Sequence, residues 1–161
     1  MISAKRIVEI FRTRGGGDEF TLPAVKLPPE QFAYLANVSE GEPIVAKVSA
    51  ENEWFVLTKS LLVFDHRGEI RKIRFDQILA VDIPKSDLLN PRSKIGGGNL
   101  DVGLQDGTTF RFKVEPGGPY LGLMNVLTRI ATVNRRQSSR VGPGNQSVPS
   151  ASNDQRSTTA L

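Results

Sequence analysis

Residues 54–64 read W-F-V-L-T-K-S-L-L-V-F, and nine of these eleven positions, from Trp54 to Phe64, are apolar or β-branched. Only Lys59 and Ser60 interrupt the run. Trp, Phe, Val and Thr fit a pleated, packed surface better than a helix, so the stretch is expected to form two strands joined at the Lys-Ser pair. Two apolar strands cannot bury themselves. The rest of the chain must therefore add sheet and a cover for it.

Downstream the period-2 pattern continues. Ile44–Val48 precedes the central run as a first strand, and Asp65-His66-Arg67-Gly68 reads as the turn after it. In Ile70–Phe75, Ile73 and Phe75 share one face, with Lys72 and Arg74 on the other. Leu79, Val81 and Ile83 alternate up to Pro84. After a polar loop from Lys85 to Gly98, Leu100, Val102 and Leu104 alternate, then Phe110, Phe112 and Val114. The last two strands set their own register. A two-residue Asp106-Gly107 turn would oppose Leu104 to Thr109, a core face to a solvent face. A three-residue loop, Gln105-Asp106-Gly107, pairs Leu104 with Thr108, Val102 with Phe110 and Leu100 with Phe112, which keeps every pair on one face.

Helical signals lie at both ends. Ile7, Ile10 and Phe11 at i, i+3 and i+4 give residues 4–12 an amphipathic pattern, read as an element packing on the domain rather than a membrane anchor. Pro28-Pro29-Glu30 opens a short helix over about 29–37, with proline preorganised for the first turn and the acid complementing the dipole. Pro119 opens the strongest helix, in which Leu123, Val126, Leu127, Ile130 and Ala131 recur at the 3.6 period. Residues 137–161 are rich in Ser, Gln, Asn, Gly, Pro and Thr, and are expected to be disordered. The expected organisation is a 1–41 extension with short helices, a 42–136 domain and the tail.

Composition narrows the function classes. A chain of 161 residues suffices for one domain with a real core. Absence of cysteine excludes disulfides, thiolate metal sites and a cysteine nucleophile, and suits a reducing cytoplasm. Glu9 and Arg12 break the apolar run that a signal peptide needs, so a non-exported chain is expected. The net charge of +4 divides unevenly: Arg135, Arg136, Arg140 and Arg156 against Asp154 leave only +1 to residues 1–134. A basic groove for specific nucleic-acid binding is not expected from that balance.

The quoted stretches, W-F-V-L-T-K-S-L-L-V-F, then I-R-F-D-Q-I-L-A-V-D-I-P, then L-D-V-G-L-Q-D-G-T-T-F-R-F-K-V before a final helix, resemble the pleckstrin-homology-like superfold, particularly its bacterial and GRAM-type relatives. The resemblance covers about 42–135. It implies a mainly β fold: seven strands in a strongly bent antiparallel sheet, forming a partly open barrel closed by a C-terminal helix. It also implies a non-catalytic binding module without cofactors, for phosphoinositides in some members and peptides or proteins in others. Lipid-binding members carry a lysine late in the first strand and a basic-x-basic pair on the second. Lys47 fills the first role, while Trp54, Phe55 and Val56 stand where the second is wanted.

The remaining candidate site is a basic cluster: Arg71, Lys72 and Arg74, joined by Arg111 and Lys113 alternating outward on another strand. It is a candidate for a lipid phosphate or an acidic peptide. The plainer reading is a solvated face whose charges prevent edge-to-edge association. Gly117-Gly118 before Pro119 reads as a strand-to-helix corner, and Gly96-Gly97-Gly98 as a loop tip lacking the Lys-Ser/Thr of a phosphate loop. His66, the single histidine, reads as a turn residue rather than a catalytic base. One histidine with no cysteine makes no zinc site, and no enzyme is expected. The leading expectation is a cytoplasmic module for a protein or peptide partner, with peripheral binding to anionic lipid headgroups as the alternative.

Overall fold

The computed structural model describes residues 2–13, 21–48, 54–66, 68–88 and 98–140. It is mainly β, with two antiparallel sheets and a long C-terminal helix. Helix α1 (Ala4–Thr13) leads, followed by β1 (Thr21–Pro23), a 3-10 turn and α2 (Pro29–Ser39). Strands β2 (Val45–Lys47), β3 (Phe55–Leu57), β4 (Leu61–His66) and β5 (Glu69–Arg74) come next. A 3-10 turn at Phe75–Gln77 precedes β6 (Ile78–Asp82), and a four-residue helix, α3 (Lys85–Leu88), follows it. The chain closes with β7 (Asn99–Leu104), β8 (Thr109–Lys113) and α4 (Gly118–Arg140).

One sheet runs β1-β2-β3-β4-β5 and the other β6-β7-β8. The described residues thus hold eight strands where the sequence pattern predicts seven. The additional β1 pairs antiparallel with β2, Leu22 opposite Ala46, and its Thr21 N–H donates to the Glu115 carboxylate at 2.8 Å. The expected Lys59-Ser60 junction is present. The Thr58 Oγ1 accepts from the Leu61 N–H at 3.0 Å, and β3 pairs β4 with Phe55 opposite Phe64.

The central run lacks alternation because its sheet is buried on both faces. Val45, Leu57, Leu62 and Ile73 lie opposite one another across four strands and face the main core. Ala46, Val56 and Val63 occupy the other face, under Leu35 of α2, with Trp54 and Leu61 packed at the margin. Trp54 meets Tyr34 of α2 edge-on, with ring centroids 6.3 Å apart.

Helix α4 covers the main core with Leu123, Val126, Leu127, Ile130 and Ala131, all buried, and lies along β6. Its Tyr120 is fully buried, and the hydroxyl donates to the Asn99 carbonyl at 3.1 Å. Helix α1 packs on α4, with Ile7 and Phe11 at 0% exposure, so its apolar face is spent on the domain. The core therefore extends across the expected boundary at residue 41. Helix α4 also continues to Arg140, beyond the expected limit at Arg136. Residues 141–161, Gly96 and Gly97 lie outside the described residues. No helix among the described residues is long and apolar enough to cross a membrane.

Candidate functional site

The basic residues singled out above do not converge on one patch. Lys47 is 5% exposed and opposes Thr21 and Phe55 on the inner side of the sheet. It lies three strands from Arg71, a separation of about 14 Å at the usual strand spacing. On β5, alternation sends Arg71 to the side of Ile73, and Lys72 and Arg74 to the side of α2. Arg111 and Lys113 belong to the other sheet and turn away from the core that Phe112 enters.

Four of these cations are also already matched to an acid. Arg71 pairs with Glu69, two residues along its strand. The Lys72 Nζ donates to Glu40 Oε1 at 2.7 Å, and that bond draws the Glu40 carboxyl below its ordinary pKa. The Arg74 Nε donates to Asp76 Oδ1 at 3.1 Å, and this partner raises the Arg74 pKa. Arg111 forms a two-pronged contact with Asp101 directly across the hairpin, at 2.7 and 2.9 Å, and holds the Asp101 carboxyl below its usual range. Such arrangements neutralise the strand surface locally instead of projecting a positive field. His66 closes β4 opposite Glu69.

An apolar hollow of about 440 Å³, which no local sequence pattern signals, lies beside the last turns of α4. Ile2, Leu61, Phe75, Ile130 and Val133 give it an apolar wall. Ser60, Arg74, Asp76, Asn134 and Gln137 supply polar atoms around that wall. Its position follows from the switch between sheets. After β5 the chain turns through Phe75–Gln77, where Arg74 N–H donates to the Gln77 side chain at 3.1 Å. Asn134 then holds the turn to α4, donating to the carbonyls of Phe75 at 2.5 Å and Ile78 at 2.8 Å. A hollow of this size, mostly apolar with a few convergent polar groups, has the character of a binding pocket.

No family model matches the chain, and no curated protein matches it. Among solved structures, a similar chain is the Inner Membrane Complex sub-compartment protein 3 from Toxoplasma gondii, at 13% identity and a TM-score of 0.36. The match covers 74% of this chain and 96% of that one, a likeness too distant for a family assignment.

Proposed function

We propose that this chain is a non-catalytic, pleckstrin-homology-like binding module that works in the cytoplasm and receives a protein or peptide partner. The partner seats an apolar side chain in the hollow beside α4. The observation that carries this reading is the hollow itself: Ile2, Leu61, Phe75, Ile130 and Val133 remain around a space large enough for a side chain. The rim offers both signs, the Arg74 guanidinium and the Asp76 carboxylate, to the carbonyls and amides of a bound backbone. Because those two groups hold each other, they suit framing a ligand better than moving protons. The family-like arrangement draws support from the element order, with strands β2–β8 in two sheets followed by a helix.

Peripheral binding to anionic lipid headgroups has less support. Arg71, Lys72, Arg74 and Arg111 are each ion-paired, and the apolar face of α1 is buried against α4.

The test is selection of random peptides on the full chain, followed by binding of the selected peptides to Val133→Lys. That substitution places a charge in the hollow without breaking the helix. Selected sequences should share one apolar anchor and lose roughly tenfold or more in affinity, about 1.4 kcal/mol, with thermal stability retained. Peptides without an anchor, or unchanged affinity for Val133→Lys, would defeat the reading.

A further inference from the structure

A different surface, the outer edge of β5, carries an inference independent of the hollow. Among the described residues β5 ends its sheet, so one side of its backbone has no neighbouring strand there. The Phe75 N–H donates to the Ser60 carbonyl at 2.8 Å. Counting back by two, Ile73, Arg71 and Glu69 aim their backbone groups at β4, while Ile70, Lys72 and Arg74 aim outward. The Arg74 N–H is taken by Gln77. Among the described residues, nothing takes the outward N–H and C=O groups of Ile70 and Lys72. Ile70 is also 49% exposed, a large apolar side chain on an open strand edge. Beside it runs a groove of about 690 Å³ bounded by Val38 on one side and Leu104 and Phe110 on the other.

We infer that this edge pairs with the same edge of a second copy of the chain, antiparallel and with Ile70 opposite Ile70. The choice of partner follows from the charges. A two-fold pairing of β5 can centre on Ile70, Arg71 or Lys72. Centring on Arg71 sets Arg71 against its own copy, and centring on Lys72 does the same for Lys72. Like charges directly opposite one another destabilise a sheet. Centring on Ile70 instead opposes Glu69 to Arg71 twice, brings the two exposed isoleucines together and leaves Lys72 facing Gly68. In the single chain, Glu69 already pairs with Arg71 along one strand, so the same two residues can exchange partners across the symmetry axis. Edge charges normally block such pairing. Here they block two registers and favour the third.

The absence of cysteine makes the test clean, since an introduced thiol stands alone. Full-length Ile70→Cys and Lys72→Cys are compared under mild oxidation. Opposed residues in such a pair lie about 5.5 Å apart, within disulfide reach, so Ile70→Cys should yield roughly tenfold more covalent dimer. Equal yields, or none, overturn the register. Sedimentation velocity supplies the second measurement. A small interface is weak, so a dimer is expected at chain concentrations on the order of 100 µM. Glu69→Arg should return the chain to monomer, and Glu69→Arg with Arg71→Glu should restore the dimer. A wild-type chain that stays monomeric to about 1 mM, or a double variant that fails to recover, would overturn the pairing.

Discussion

Asn134 of α4 reaches the Ile78 carbonyl at 2.8 Å, and its second hydrogen goes to the Phe75 carbonyl at 2.5 Å. One buried carboxamide thereby ties the helix to both ends of the turn where the chain changes sheets. Asn134→Ala removes the donor from both carbonyls. The Phe75 oxygen keeps the Ile78 N–H, but the Ile78 oxygen loses its side-chain partner, and an unsatisfied buried acceptor costs about 1–3 kcal/mol. Denaturant unfolding followed by the fluorescence of Trp54 should register a loss of that order. Asn134→Asp should be at least as damaging, because a carboxylate cannot donate to either oxygen. A loss below about 0.5 kcal/mol would mean that the two bonds contribute nothing beyond a surface contact.

Gly122 makes the opposite kind of demand. A Cβ built there would lie 2.8 Å from both the ring and the carbonyl oxygen of Phe11, because α1 and α4 meet at this point. In an ordinary helix interior, replacing Gly by Ala gains about 1 kcal/mol. Overpacking costs about 1–3 kcal/mol, and the Phe11 backbone oxygen cannot rotate away. Gly122→Ala should therefore lower the melting temperature despite its better helix propensity. A rise would show that α1 can shift outward freely.

Which features the sequence could reveal depended on whether their partners were near or remote in the chain. The β7–β8 hairpin was fully readable: Leu100 opposes Phe112, Val102 opposes Phe110, and Gly107 takes φ +84° in the three-residue loop. Its register depends on residues a few positions apart. The three-residue β1 was not readable, since Thr21–Pro23 is too short to display a period and becomes a strand through distant Val45–Lys47. The 54–64 run disclosed strands but not the reason for their continuous apolarity, which is α2 lying on the second face. The hollow draws on the segments at 2, 60–61, 74–76 and 130–137, a juxtaposition that no local pattern encodes. One signal was available. Asn134 falls on the apolar stripe of α4, four residues after Ile130, and a polar residue there must find buried partners.

The Asp101–Arg111 pair makes the hairpin sensitive to acid. Arg111 lowers the folded-state pKa of Asp101, so the contribution is fully present above the unfolded carboxyl pKa, near 3.9. It fades as pH falls through the lower folded value. Arg111 is 54% exposed along its side chain, and a pair screened to that extent contributes at most about 1 kcal/mol. Asp101→Asn should therefore be less stable than wild type at pH 7, with the gap closing below about pH 4. Parallel urea titrations at the two pH values measure it, and a gap that widens in acid would contradict the sign.

Glu40 couples a backbone cost to the question of lipid binding. It caps α2 in the left-handed region, at φ 54° and ψ 34°, and carries the carboxylate that holds Lys72. A side chain in that region costs roughly 1–2 kcal/mol, which glycine avoids. The ion pair that glycine removes is fully exposed on the Glu40 side and screened by solvent, so its loss offsets little of that gain. Glu40→Gly should thus raise stability slightly while releasing the Lys72 ammonium from its acid. If this strand formed a headgroup site, the variant would pellet with anionic vesicles more strongly than wild type at low salt, and the gain would vanish at about 0.5 M salt, where screening is short-ranged. A binding module built around the hollow predicts no gain, because a released surface lysine does not alter Ile130, Val133 or Phe75. Vesicle sedimentation of the two proteins side by side therefore separates the readings, and a clear salt-sensitive gain would favour the membrane.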